Sequence, residues 1–407
     1  DRSAIQSSNT AMIPRTLLAA LLRDAGSYPV LTLTGPRQSG KTTLARAAFL
    51  SHAYVSLEEP DYRSFAREDP RGFLARFPGP VIVDEAQRVP DLLSYIQTAV
   101  DREPAPGRFV LTGSENFLLM EKVSQTLAGR CAVLHLLPFS RAELDRQEQA
   151  EPTNPETLFG SPASRFDCWE LIRTGGYPPI HDRAIPPEVW HSDYLRTYVE
   201  RDVRALVNVG DLETFERFLK LCAGRLGQLL NASALASDCG IAVDTARRWL
   251  SVLKTSFLVF LLPPHFRNFS KRVIKSPKLY FHDTGLACHL LGIRETEQLG
   301  THPLRGALFE NFVVAEVAKA YWHHRREPPM YFWRDQTGHE VDLVLEEAGV
   351  LHPVEIKSGA TVAADMLAGL GWWRRLAGSE AGRPFLVHGG TESYERDGVG
   401  IRPWFAV

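Results

Sequence analysis

The sequence predicts an α/β protein whose first part is a doubly wound parallel sheet, and three observations predict it. The run Gly35-Pro36-Arg37-Gln38-Ser39-Gly40-Lys41-Thr42 satisfies G-x-x-x-x-G-K-[ST] between a short β-branched stretch, Pro29 to Thr34, and a helical one, Thr43 to Phe49. Strand-like and helix-like stretches then alternate from Ser51 onward, as βαβ units do. The apolar run Val81-Ile82-Val83 ends in Asp84-Glu85, and ligands of such sheets bind at the carboxyl ends of the strands.

Each element has its reason. A loop of this pattern wraps a phosphate because its backbone N–H groups converge and its glycines permit close approach. The cofactor-binding residues are therefore Gly35, Pro36, Arg37, Gln38, Ser39, Gly40, Lys41, Thr42 and Thr43, with Lys41 neutralising the β- and γ-phosphates of ATP and Thr42 placing its hydroxyl on Mg2+. Ala53 to Leu57 is the next strand, and the region up to Pro80 reads as surface helix. Asp84 is expected to hold Mg2+ and Glu85 to orient or deprotonate the attacking water. Arg108 to Thr112 is a strand ending in Gly113-Ser114-Glu115-Asn116, where Ser114 or Asn116 is a candidate γ-phosphate sensor and a plain strand exit is the alternative. Arg130, before the last strand Cys131 to Leu136, is a candidate for charge on the transferring phosphoryl group, or else a solvated loop residue.

At 407 residues the chain is too long for one core. Its 44% hydrophobic and 23% charged residues are those of a globular protein, with no apolar run long enough to cross a bilayer, so no membrane partner is expected. The net charge of -2 gives no global nucleic-acid signal, and any basic surface must be local. Five scattered cysteines without C-x-x-C spacing fit reduced thiols and a cytoplasmic location. Residues 1–11 lack an initiator Met and an apolar segment, and are expected to be a tag remnant or disordered lead.

The run Leu33 to Gln38, the strand end Val83-Asp84-Glu85-Ala86-Gln87 and the strand end Leu111-Thr112-Gly113-Ser114 together resemble the prokaryotic AAA-type ATPases that carry a C-terminal domain of unknown function. The resemblance spans nearly the whole chain. Composition and element pattern divide the chain into an ATPase module (12–145), a polar Pro-rich linker (146–165), a helical connector (166–225), a winged-helix module (226–300) and a C-terminal nuclease-like module (301–407). Gly175-Gly176-Tyr177-Pro178-Pro179 and Tyr198 to Val203 also recur in that family, although Glu200, Arg201 and Asp202 read most simply as charges on a helix face.

Asn231 to Gly240 and Val243 to Leu253 have the length and turn glycine of a helix-turn-helix, with Ser233 and Asp244 as expected caps. Phe257 to Leu262 and Lys278 to Phe281 read as the strands of a wing, joined by a basic loop with Arg267, Lys271, Arg272 and Lys275, and with Lys278 at its end. One reading lays Arg247 and Arg248 in a DNA groove with the wing on phosphates. The other makes the unit an interdomain packing piece.

From Leu308 onward, helix, three strands, helix (Ala363 to Leu376) and the strand Pro384 to Val387 give an αβββαβ order, followed by a further strand, Gly400 to Phe405. That order, with Asp342 and Glu355-Ile356-Lys357, resembles the PD-(D/E)xK restriction-endonuclease-like fold. Residues two apart on a strand share a face, so Glu355 and Lys357 point the same way and Asp342 joins them from the neighbouring strand. Asp342, Glu355 and the Ile356 carbonyl suit Mg2+ or Mn2+, Lys357 would activate water or stabilise the phosphate, and Glu310 would add a carboxylate, as some members of that superfamily have. Superfamily members appended to other enzymes are often inactive, so both cleavage and a partner-binding role stay open. DNA is the expected partner, and self-association is left open.

Overall fold

The computed structural model describes residues 12–114, 125–198, 212–265 and 275–407. Asn116, Glu200 to Asp202, Arg267, Lys271 and Arg272 lie outside the described residues. The first sheet contains β1 (Val30–Thr34), β2 (Ala53–Ser56), β3 (Val81–Asp84), β4 (Phe109–Gly113) and β5 (Cys131–His135), all parallel, in the order β2-β3-β4-β1-β5. Successive side chains alternate between its faces. Leu31, Leu33, Ile82 and Val110 pack with the helices Leu17–Ala25 and Lys41–Ala48, whereas Val30, Val81, Val83 and Leu111 pack toward Pro60–Glu68, Pro70–Ala75 and Leu92–Arg102. Burial on both sides explains why these strands read as nearly continuous apolar runs.

β4 separates β1 from β3. The end of β4 therefore sits between the phosphate loop, which leaves β1, and the acids that end β3.

The linker does not run free. Asn154 caps the short helix Pro155–Leu158, Leu158 and Phe159 are buried, and Phe159 packs 5.0 Å from the Phe385 ring of the C-terminal sheet. The middle then runs through the helices Cys168–Thr174, Pro178–Asp182, Pro187–Tyr198, Leu212–Ala223, Ala232–Cys239 and Val243–Thr255, the antiparallel pair β6 (Val259–Leu262) and β7 (Lys278–Phe281), and the helix Thr284–Leu290. Gly240 ends Ala232–Cys239 in the left-handed conformation. The expected caps Ser233 and Asp244 are displaced: the side chain of Asn231 accepts the Ala234 N–H, and Ala242 opens the second helix without a side-chain cap.

The 19-residue helix Arg305–His323 opens the C-terminal part. It is followed by β8 (Met330–Arg334), β9 (Glu340–Glu347) and β10 (Val350–Lys357), a short 3-10 turn into the helix Ala368–Ala377, then β11 (Phe385–His388), β12 (Tyr394–Arg396) and β13 (Val399–Pro403). The sheet order is β12-β13-β11-β10-β9-β8, with β8, β9 and β10 antiparallel and β10, β11 and β13 parallel. The short edge strand β12 was not legible in the sequence. One apolar core runs from Phe139 through the middle to Val407, so the middle and the C-terminal part are packed as one body.

Candidate functional site

The phosphate loop joins β1 to the helix Lys41–Ala48 and owes its shape to two glycines. At Gly35 a Cβ would run into the carbonyl of Leu136 on β5's exit, and Gly40 turns the chain at φ +93° into the helix. Lys41 is buried and its ammonium donates to the carbonyls of Gly35 (3.0 Å) and Pro36 (2.7 Å). Burial, helped by the Arg37 charge, lowers its pKa to about 8 against the pull of Glu85 and Asp84.

Asp84 is the point on which three elements converge. Its Oδ1 accepts from Thr42 Oγ1 at 2.8 Å and from Thr112 Oγ1, and its Oδ2 accepts from Tyr54 OH at 3.0 Å. Burial and the Asp84 charge push the Tyr54 hydroxyl up to about 12. Glu85 stands at φ +55°, a left-handed backbone uncommon outside glycine, and strain of this kind gathers at functional sites. Its carboxylate accepts from Gln87 Nε2 at 2.5 Å, and its N–H reaches Thr112 Oγ1 at 3.4 Å. Ser114 Oγ, at the end of β4, is buried without a protein partner among the described residues. Lys41, Thr42, Glu85 and Ser114 all line one cavity of about 990 Å³.

The roof of that cavity comes from the middle of the chain. Pro178, Pro179, Arg183, Tyr194 and Thr197 line it opposite the loop, and Trp190 Nε1 donates to Gln38 Oε1 at 3.0 Å. Stacking of Tyr177, Trp190 and Tyr194 stiffens the roof, with centroids 4.5 to 5.0 Å apart. The wall is finished by Met12, Ile13 and Arg15, which carry no motif.

Arg130 is not brought to this site. Its carbonyl accepts the Val30 N–H, so it lies at the amino end of β1, about 16 Å from the loop at about 3.3 Å per residue, and its guanidinium grips Asp101 at 2.5 and 3.1 Å.

Arg247 and Arg248 are exposed on the helix Val243–Thr255, Arg247 pairing with Asp244 at 3.2 Å, and Lys275 is exposed beyond it. Lys278 departs from expectation. It is 2% exposed and turned inward, its ammonium 2.9 Å from Glu310 and 2.5 Å from Glu340.

That inward turn brings Lys278 to the C-terminal carboxylates. Val354 pairs with Leu343, which sets Asp342 beside Glu355, and Asp342 Oδ2 accepts the Ile356 N–H at 2.9 Å. Lys357 lies 2.5 Å from Glu355 and 3.9 Å from Asp342. Glu310, from the long helix, also accepts from Tyr280 OH at 2.5 Å. Burial first, and then the Asp342 charge, hold the carboxyls of Glu310 and Glu355 well above the usual carboxylate range. Burial works against the Lys357 ammonium, but Asp342 and Glu355 outweigh it and raise its pKa. Among the described residues, no group of three His, Cys, Asp or Glu side chains is gathered in metal-holding geometry. Two lysines stand among these carboxylates instead.

Among the described residues no helix is long and apolar enough to cross a membrane. Comparison with known families matches residues 27–144 to an AAA domain, 165–297 to a domain of unknown function (DUF8612) and 305–405 to another (DUF4143). The uncharacterized proteins Mb2031c of Mycobacterium bovis and Rv2008c of Mycobacterium tuberculosis are each 34% identical over 354 residues, covering 86% of this chain and 75% of theirs. Among solved structures, the Walker-type ATPase PABY2304 of Pyrococcus abyssi aligns at TM-score 0.40 and 16% identity over 69% of this chain and 96% of its own. The RuvB Holliday junction branch migration motor of Thermotoga maritima aligns at 0.28 and 19% over 60% and 87%. With the phosphate loop, the strand-end acids and the AAA match in place, the chain belongs to the family of these two mycobacterial proteins, as an AAA-type P-loop ATPase.

Proposed function

We propose that the protein binds and hydrolyses ATP with Mg2+ and couples that cycle to the binding or processing of DNA. The observation that carries this reading is the cavity itself, in which the loop and Glu85 form the floor and Pro178, Arg183 and Thr197 form the roof. A nucleotide filling it would touch two parts of the chain at once, and its loss or cleavage would change how they meet. The hydroxyl of Thr42 and the carboxylate of Asp84, 2.8 Å apart, are the oxygen donors Mg2+ prefers. The ion would supply charge neutralisation on the phosphates. Lys41 would bind the phosphates, Glu85, held by Gln87, would take the proton of the attacking water, and the Ser114 hydroxyl, which has no partner among the described residues, would read the γ-phosphate.

The exposed Arg247, Arg248 and Lys275 would meet DNA phosphates, and Glu310, Asp342, Glu355 and Lys357 would act as the nuclease-like cluster. Asp342 and Glu355 would hold the divalent ion there. A second reading, an ATP-driven switch whose C-terminal fold binds a partner without cutting DNA, is favoured by Lys278, whose charge stands against Glu310 and Glu340 where a cation would be attracted.

Binding of the full chain to duplex DNA across a salt series, with cleavage followed in Mg2+ or Mn2+, tests both readings. The DNA reading expects affinity to fall steeply with salt. Arg247→Ala with Arg248→Ala should weaken binding and flatten that slope while basal ATP hydrolysis stays nearly unchanged. Cleavage that Asp342→Asn abolishes would establish the nuclease. Salt-independent, negligible DNA binding with intact ATP hydrolysis would leave the switch.

A further inference from the structure

Arg15 holds the phosphate loop from the cavity wall, although no sequence motif marks it. Its guanidinium, 8% exposed at the residue level, donates in three directions: to Ser39 O at 2.8 Å, to Leu137 O at 2.6 Å and to Glu143 Oε1 at 3.1 Å. Its Cζ also lies 4.6 Å from the Phe139 ring centroid. The Ser39 carbonyl belongs to the peptide that leads into Gly40. That peptide is planar and trans, so pinning the carbonyl also fixes the direction of the Gly40 N–H, one of the converging donors such a loop offers a phosphate. Leu137 follows Leu136, whose carbonyl already excludes a side chain at Gly35, so Arg15 ties the far end of the loop to the strand that crowds its near end.

The counter-ion leads away from the nucleotide. Glu143 is buried, accepts the N–H groups of Thr16 (2.8 Å) and Ser140 (3.0 Å), and lies 3.5 Å from Nδ1 of His323, the last residue of the helix Arg305–His323. The same stretch of that helix is fastened twice more, by Lys319 to Phe139 O at 3.0 Å and by Glu316 to the Arg141 N–H at 2.7 Å. The first turns of the helix carry Glu310, about 20 Å away at about 1.5 Å per residue.

We propose that Arg15 is a positioning residue for ATP hydrolysis, and that through Glu143 it couples occupancy of the phosphate loop to the end of the helix Arg305–His323. This rests on the cavity being the nucleotide site. Phosphate binding draws the loop N–H groups inward and loads the Ser39–Arg15 bond. Arg15 in turn sets the position of the Glu143 carboxylate against His323. Arg15 acts through the Ser39–Gly40 peptide, and Glu143, which is not part of the cavity lining, acts through Arg15.

The experiment uses the full chain. Steady-state ATPase kinetics of Arg15→Ala should show KM raised about tenfold or more, the weight of one charge-assisted hydrogen bond, with kcat within about threefold of wild type. Arg15→Lys, which keeps the charge but not the three-way fork, should fall between the two. A merely structural role would lower kcat in step with the folded fraction and leave KM alone, and that result in both variants would overturn the assignment. The coupling is read separately, by amide exchange over residues 316–323 in a Glu85→Gln background with and without saturating ATP. ATP should slow exchange there when Arg15 is present and leave it unchanged in the Arg15→Lys double variant. Equal slowing in both would sink the coupling, and no binding of ATP by Glu85→Gln itself would instead sink the nucleotide assignment on which it rests.

Discussion

Thr112→Val is the perturbation that asks most directly whether the floor of the cavity is a catalytic device. Valine nearly matches threonine in shape, and Thr112 is 1% exposed, so the change removes one hydroxyl and little else. That hydroxyl donates to Asp84 Oδ1 and lies 3.4 Å from the Glu85 N–H. A hydrogen bond to a charged group contributes about 1.5–3 kcal/mol. At about 1.4 kcal/mol per decade, its loss lowers the share of Asp84 held in its present pose by about 10- to 100-fold. Tyr54 and Thr42 still hold the carboxylate, which places the expected fall in kcat toward the lower figure. The Glu85 N–H, at φ +55°, loses its acceptor at the same time, and misplacement of a base by about 1 Å costs up to about 100-fold. Phosphate release at saturating ATP, with ATP binding measured separately, is the assay. Thr112→Ser keeps the hydroxyl and should stay near wild type. A folded Thr112→Val protein with wild-type kcat would refute the reading of Asp84 and Glu85 as a pair set by β4.

Three further expectations follow from the same geometry. Glu85→Gln should retain ATP while hydrolysis falls about 100-fold or more, and wild-type turnover would remove Glu85 from the role of base. His282 and His323 are buried, and burial lowers both pKa values to about 3 from the ordinary 6.5. The unfolded chain therefore binds more protons, stability is full above about pH 6.5 and drains as pH falls, and each residue costs about 2 kcal/mol at pH 5. Denaturation midpoints at pH 8 and pH 5 check this: His282→Leu should narrow the difference, to which His135 and His289, their pKa values also lowered by burial, contribute as well, and equal midpoints for wild type would contradict it. Lys278→Met leaves Glu310 and Glu340 without their shared counter-ion and should destabilise the chain by about 3 kcal/mol, in part restored by millimolar Mg2+ or Mn2+. An unchanged denaturation midpoint would show that the lysine is not their partner.

The parts legible in the sequence are those whose chemistry demands neighbouring residues. A phosphate loop has to be contiguous, and Asp84-Glu85 marks the end of an apolar strand, so both announce themselves locally. Thr112, Arg15 and Lys278 gain their roles from partners 28, 128 and 32 positions away, and no local pattern encodes such a meeting. Lys278 shows the difficulty well: in a run with Arg272 and Lys275 it reads as one more cation of a basic loop, while the fold turns it inward because β7 runs beneath the long helix. Arg130 is another matter. It precedes its strand, and in a parallel sheet the ligand lies at the opposite ends, so the rule that found Asp84 already excluded it. The modules expected beyond residue 226 were drawn from local helix and strand patterns, which do not reveal that one apolar core passes through both.

The helix Arg305–His323 also sets a timetable for the ribosome. Phe139 and His135 finish their packing against residues that lie far downstream, with Trp322 meeting the His135 ring at 4.5 Å and Lys319 closing on the Phe139 carbonyl. At about 5–20 residues per second, the nascent ATPase sheet waits roughly 10 to 35 s for that cover. During this interval the flank at His135 and Phe139 lacks the helix that covers it in the folded protein. Truncating the chain near residue 300 would make that wait permanent, so aggregation of such a fragment should be read as a missing wall rather than as a defect of the nucleotide site.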